Sequence, residues 1–161
     1  MKTALYPGTF DPVHNGHLDL LRRAGRVYDQ IILGVAHSEP KGTLFPLEER
    51  IEMAREATVG LGHVRVESFE GLLVDAFRDF KADVVIRGVR LFQDFEYEYQ
   101  MALMNRRLSP DFDVFFLMPS ADFLSVSSTL IKDIHRHGGD VGGLVPGFVA
   151  KRLSEVGGSG S

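Results

Sequence analysis

No cysteine occurs among the 161 residues, which rules out a disulfide framework and any thiolate metal site. No apolar run approaches the roughly 20 residues that a membrane-spanning helix requires. Met1-Lys2-Thr3-Ala4 leads directly into a strand-like segment, not into a signal peptide, so the cytoplasm is the expected compartment. Positive charge is in short supply as well. The formal net charge of -4 argues against binding to nucleic-acid backbones, which wants a basic surface. A small anionic ligand stays open, because it needs only a local cluster of cations and backbone N–H groups. There is no internal repeat, and no low-complexity stretch before the final Gly157-Gly158-Ser159-Gly160-Ser161. That end reads as a flexible Gly/Ser tail, residues 157–161.

What is present is a globular balance, 44% apolar and 25% charged, in a chain long enough for one domain with its own core, expected over residues 1–156. Short apolar runs alternate with helix-length amphipathic stretches. The predicted strands are Thr3–Tyr6, Gln30–Ala36, Val64–Ser68, Asp83–Ile86 and Val114–Leu117. The predicted helices are His17–Val27, Leu47–Val59, Leu72–Phe80, Asp94–Leu108, Ser127–His137 and Pro146–Ser154. Such alternation implies an α/β domain with right-handed crossovers, a Rossmann-like doubly wound parallel sheet. Ligands of these sheets collect beyond the carboxyl ends of the strands, at a switch in strand order. Polar segments that directly follow a strand therefore matter most: Pro7–Gly16, His37–Pro46, Arg87–Gln93 and Met118–Val126.

The first of these reads Pro7-Gly8-Thr9-Phe10-Asp11-Pro12-Val13-His14-Asn15-Gly16-His17. Gly8 and Gly16 permit close backbone approach, and the helix beginning near His17 directs free N–H groups at the loop, an anion site. His14 and His17, at i and i+3, can face one anion and donate hydrogen bonds to charge that builds up in a transition state. The string has neither the Gly-Lys-Ser/Thr of a Walker loop nor the G-x-G-x-x-G dinucleotide spacing. Lys41 follows the second strand and on position alone is a solvated lysine. Arg87 and Arg90 flank Gly88 at the end of the fourth strand, where guanidinium forks suit phosphate oxygens. An ion pair with Asp94 or Glu98 is plausible for one of them. Ser127 is a candidate N-cap, and the run Ser127-Ser128-Thr129 with Lys132 equally suits a phosphate tail. Two apolar stripes on Asp94–Leu108, one of Tyr97, Met101, Met104 and Leu108 and one of Phe95, Tyr99, Ala102 and Leu103, suggest burial on both sides.

The first turn resembles the (H/T)-x-G-H signature of the nucleotidylyltransferase superfamily. The chain as a whole resembles the bacterial phosphopantetheine adenylyltransferases from Tyr6 to about Pro146. The strings that carry the likeness include Leu47-Glu48-Glu49-Arg50, Arg87-Gly88-Val89-Arg90, Asp94-Phe95-Glu96-Tyr97-Glu98, Met104-Asn105-Arg106 and Phe116-Leu117-Met118-Pro119-Ser120. It departs at His14, where many members carry Thr, and at Phe123, where a larger aromatic is frequent. The resemblance implies reversible transfer of AMP from ATP to 4′-phosphopantetheine, with Mg²⁺ required. By the same likeness His17 stabilises the transition state, with Lys41 and Arg90 beside it. ATP would be held by Thr9, Phe10, His17, Gly88, Val89, Arg90 and Glu98, and by the loop Phe123, Leu124, Ser125, Val126, Ser127, Ser128 and Thr129. The acceptor would be held by Thr9, Lys41, Leu73 and Arg87. Similar proteins are hexamers, which fits the doubly apolar helix. The same fold also serves nicotinamide-mononucleotide adenylyltransferases and glycerol-phosphate cytidylyltransferases, and a non-catalytic nucleotide sensor is the reading from another class. No Ser/His/Asp arrangement and no carboxylate cluster for a resident metal is evident, so the Mg²⁺ is expected on the ATP phosphates and water.

Overall fold

A computed structural model describes residues 1–37 and 42–157. Five strands form one all-parallel sheet: β1 (Thr3–Gly8), β2 (Gln30–Ala36), β3 (Val64–Phe69), β4 (Val84–Gly88) and β5 (Val114–Leu117), in the order β3-β2-β1-β4-β5. The helices are α1 (Asn15–Ala24), α2 (Leu47–Thr58), α3 (Leu73–Asp79), α4 (Phe92–Leu108), α5 (Ser128–Arg136) and α6 (Gly147–Gly157). Each predicted strand and helix is found, β2 and β5 with the predicted bounds and the others with ends shifted by at most three residues. Gly157, predicted in the tail, closes α6; residues 158–161 lie outside the described residues.

The alternation of side chains along the strands explains the two layers of helices. Ala4, Tyr6, Ile31, Leu33, Val84 and Ile86 point to one face, where buried residues of α1, α2, α5 and α6 complete a large core. Leu5, Ile32 and Val85 point to the other, where α3 supplies Val74, Ala76 and Phe77 and the chain before β5 supplies Phe112. The central strand β1 is buried from Thr3 to Pro7 and pairs with both β2 and β4. β5 is an edge, and its Phe115 is exposed.

The order of strands reverses between β1 and β4: β2 and β3 extend the sheet one way, β4 and β5 the other. The carboxyl ends of β1 and β4, at Gly8 and Gly88, therefore flank the crevice where such sheets bind ligands.

Candidate active site

At that crevice lies an open cleft of about 720 Å³, lined by the turn after β1, the start of α1, the end of β4, α4 and the start of α5. Its floor is built from the two histidines. His14 is the N-cap of α1, with an extended backbone, and its Nδ1 accepts a hydrogen bond from the His17 N–H at 3.2 Å. His17 Nδ1 in turn accepts from the His14 N–H at 3.1 Å. Each side chain thus satisfies a backbone donor of the other residue, as in a reciprocal capping box. The helix starts at Asn15, earlier than predicted, because His14 and not a later residue is the cap. The rings stack with centroids 3.5 Å apart. Gly16 makes this possible, since a methyl there would stand 2.8 Å from His14 Cε1.

This geometry fixes the protonation state. Burial holds the His14 imidazole down near pKa 3. Burial, His14 and the arginines hold that of His17 well below the ordinary value. Both rings are neutral at pH 7, and both Nδ1 atoms are acceptors. The ring proton therefore resides on Nε2 in each, leaving two N–H donors and no charge that needs desolvation. Tyr6 and Phe10 pack edge-on around His17 and hold its ring plane.

A buried polar layer beneath the turn escaped sequence reasoning. Asp11, only 2% exposed, accepts from the backbone N–H groups of Leu44 and Phe45 at 2.9 Å each and from Lys132 Nζ at 2.9 Å. Arg50, fully buried, donates to the carbonyls of Phe45, Thr9 and Ala36 at 3.1, 2.8 and 2.8 Å. One carboxylate and one guanidinium thereby tie the first turn to the segment after β2 and to α5. Both residues stand in strings that carry the resemblance. Nothing in their spacing indicates burial.

Across the cleft both arginines are paired, where only one pairing was expected. Arg87 Nε donates to Glu98 Oε2 at 2.9 Å, Nη2 donates to the other carboxylate oxygen, and Nη1 donates to the Pro7 carbonyl at 2.7 Å. Arg90 Nη1 donates to the Val126 carbonyl at 2.6 Å, and its Nε lies 3.8 Å from Asp94. The cause is helical spacing: Asp94 and Glu98 stand one turn apart on α4, facing the loop that leaves β4. Burial disfavours charge on Arg87, but Glu98 outweighs it and keeps the guanidinium ionised. Glu98 lines the cleft chiefly as the partner of Arg87. Gly88 likewise serves packing, since a methyl there would stand 2.9 Å from Leu20.

Thr9, Phe10, His17, Arg87, Gly88, Arg90 and Glu98 all line the cleft, as do Phe123, Val126, Ser127, Ser128 and Thr129. Ser127 caps α5, its hydroxyl accepting from the Leu130 N–H at 3.0 Å, while the Ser128 hydroxyl donates to the Pro12 carbonyl at 2.8 Å. Val89, Leu124 and Ser125 belong to the same loops but do not line the cleft. Leu73 is not brought there either: it opens α3 and packs on the second cluster, across the sheet from the histidines. Lys41 lies outside the described residues.

Residues 5–134 match the family described as cytidylyltransferase-like. The chain is 48% identical over 155 residues to the phosphopantetheine adenylyltransferase of Thiobacillus denitrificans, covering 96% of this chain and 97% of that protein. It belongs to the phosphopantetheine adenylyltransferases. A solved structure from Vibrio parahaemolyticus, assigned provisionally as a nicotinate-nucleotide adenylyltransferase, superposes with a TM-score of 0.74 over 96% of this chain and 99% of that one. At 15% identity that likeness shows the shared Rossmann-like fold and no more. Membership in the family makes the protein a nucleotidyltransferase of coenzyme A synthesis, and the cleft between β1 and β4 is its candidate active site.

Proposed function

We propose that this cleft transfers the adenylyl group of ATP to 4′-phosphopantetheine by in-line displacement. An oxygen of the acceptor phosphate attacks the α-phosphorus, the bond from that phosphorus to the bridging oxygen breaks, and pyrophosphate leaves. No covalent enzyme intermediate forms. The acceptor is ionised at neutral pH and needs no general base, so the protein's work is positioning and electrostatics. The observation that carries this reading is the reciprocal pairing of His14 and His17 through Nδ1 at the end of β1, which leaves both Nε2 atoms free to donate, across the cleft from Arg87 and Arg90.

His17 donates from Nε2 to the α-phosphoryl oxygens as their charge grows, with the first turn of α1 adding its partial positive end. Arg87 keeps a hydrogen on each terminal nitrogen beyond those given to Glu98 and Pro7, enough to grip the acceptor phosphate. Arg90, tied to Val126, stands on the nucleotide side, with Phe123 and the Ser127–Thr129 turn. Lys41 joins the acceptor phosphate in this reading.

Mg²⁺ enters with the triphosphate, whose charge it offsets. The described residues fit a metal carried by the nucleotide and not a protein cage: no group of three or more His, Asp or Glu among them has metal-holding geometry. The carboxylates beside the cleft are committed, Asp11 to Lys132, Asp94 to Arg90 and Glu98 to Arg87. No helix among the described residues is long and apolar enough to cross a membrane; the role in this reading is a cytoplasmic one. The assembly in this reading is a homo-oligomer, most simply the hexamer of similar proteins.

Pyrophosphate release measured with ATP, Mg²⁺ and each of 4′-phosphopantetheine, nicotinamide mononucleotide and glycerol phosphate tests the proposal. Release with the first acceptor alone is expected. Release with another acceptor in preference, or with none, overturns it.

A further inference from the structure

The segment between β5 and α5 brings Phe123 and Val126 to the cleft, and its own regular structure is a single short 3-10 turn, Ala121–Phe123. Its footing is α1. Gly16, Asp19, Leu20 and Arg23 form one stripe of that helix at three- and four-residue spacing. A methyl on Gly16 would stand 3.6 Å from Phe123 Cβ. Asp19 accepts two hydrogen bonds from Ser120: Oδ2 from the backbone N–H at 3.2 Å and Oδ1 from the hydroxyl at 2.9 Å. Arg23 donates to the Met118 carbonyl and stands 3.6 Å from Asp19. Ser120 is the cap of the 3-10 turn, so both of its donors are held by one carboxylate at the point where the turn begins.

We propose that Asp19 is a positioning residue for the nucleotide. It does not line the cleft, but it fixes the base-side segment relative to His17 through Ser120. The inference rests on the adenylyl-transfer reading above. The physical basis is that Asp19 and His17 belong to the same helix, two residues apart. α1 then acts as a strut: its first turn holds the phosphates and its next turn holds the segment against which the base lies. Two hydrogen bonds to a mostly shielded carboxylate are stronger than bonds between neutral groups. Slack at Ser120 would loosen the base side while leaving Arg87, held separately by Glu98 and the Pro7 carbonyl, as it was.

Steady-state kinetics of Asp19→Ala, Asp19→Asn and Ser120→Ala, with hydrogen exchange over residues 118–126, test this. Asp19→Ala should raise the KM for ATP about tenfold, the effect of losing a charge-assisted pair, and shift that for 4′-phosphopantetheine less than about twofold. Asp19→Asn, whose amide oxygen still accepts, should recover most of that loss. Ser120→Ala should act in the same direction, and combined with Asp19→Ala should add nothing further. Exchange over the segment should quicken in Asp19→Ala. An unchanged KM for ATP in folded Asp19→Ala, an equal rise for both substrates, or additive losses would overturn the proposal. Should Asp19→Ala not fold, Ser120→Ala decides alone, and an unchanged ATP KM there has the same force. If the unsubstituted protein releases no pyrophosphate from ATP, the adenylyl-transfer reading fails. The strut is then judged by exchange, and unaltered exchange in Asp19→Ala overturns it.

Discussion

In the turn after β1, polar side chains are buried and partnered within the chain: His14 with His17, Asp11 with Lys132 and two backbone donors, Arg50 with three carbonyls. Helix α4, on the opposite side of the cleft, is finished on one side only. Its carboxylates Asp94 and Glu98 are paired with the arginines, but Phe92, Tyr97 and Met104 are 88%, 64% and 57% exposed. Asn105 is its one buried residue, and its contact with the sheet includes Phe95 lying edge-on to Phe116. The first region is preorganised by its own chain. The second presents several large apolar side chains to solvent along one helix, a clustering rarely left bare on a monomer. The histidine turn is thus fixed by contacts within the chain, while the arginines' carboxylate partners ride on a helix whose outer side is exposed.

Removing a donor from the preorganised side should have the largest effect. His17→Ala should lower kcat by about 10²–10³, roughly 3–4 kcal/mol of transition-state stabilisation. Circular dichroism and thermal melting should show an intact fold. Near-normal kcat would make His17 a structural part of the turn and erase the contrast between the two sides.

On the α4 side the effects should fall on binding. Arg87→Ala should chiefly weaken the acceptor, and Arg90→Ala chiefly ATP, each by about 2–3 kcal/mol or roughly 30–150-fold, as expected for charged hydrogen bonds. Separate titrations of each variant with each substrate check this. Equal losses for both ligands would show that the arginines do not divide the site.

Charge on the outer side of α4 should break assembly and spare the cleft. Sedimentation of the unmodified protein at micromolar concentration should give a particle several-fold heavier than the 17.9 kDa chain. Tyr99→Asp or Met104→Asp should lower that mass. A fully active monomer without substitution would mean that the exposed stripe serves something other than self-association.

The smallest effect concerns pH. Because His14 and His17 are neutral in the folded protein, the rate should show no limb near the ordinary imidazole value of 6.5. Stability behaves differently. The unfolded chain binds more protons than the folded one as pH drops through 6.5, so the contribution of this pair falls as pH is lowered from there, that of His14 down to about 3. His14→Thr keeps a capping oxygen and removes one such group. Its denaturant midpoint should fall less steeply over that window than that of the unsubstituted protein.

Much of this was legible in the chain. Apolar runs separated by amphipathic stretches suffice to predict the five strands, because strands covered on both faces have few alternatives. The turn Pro7–His17 and the pair Arg87 and Arg90 could be assigned to the cleft because each stands at the carboxyl end of a strand. Pairing was not legible. The one-turn spacing of Asp94 and Glu98 allows two pairings, but that both are made depends on where the start of α4 lies against the end of β4. Leu73 was expected at the acceptor, and the crossover into α3 places it across the sheet. Asp11 and Arg50 look like surface charges in a list of residues. Their burial follows only once three chain segments converge at the end of β1.

The position of β1 at the centre of the sheet also bears on order in time. Its pairing with β2 joins residues less than 30 apart in register, Thr3 with Gln30, whereas the bond from Thr3 N–H to Asp83 spans 80. As the chain emerges during synthesis, the strands β1, β2 and β3, with the histidine turn between the first two, are complete before β4 exists. The half of the sheet that carries the histidine turn can therefore assemble while the arginines that will face it have yet to be made. The cleft itself comes into being as a late event, when β4 closes the longer loop against the edge of β1 that β2 leaves open.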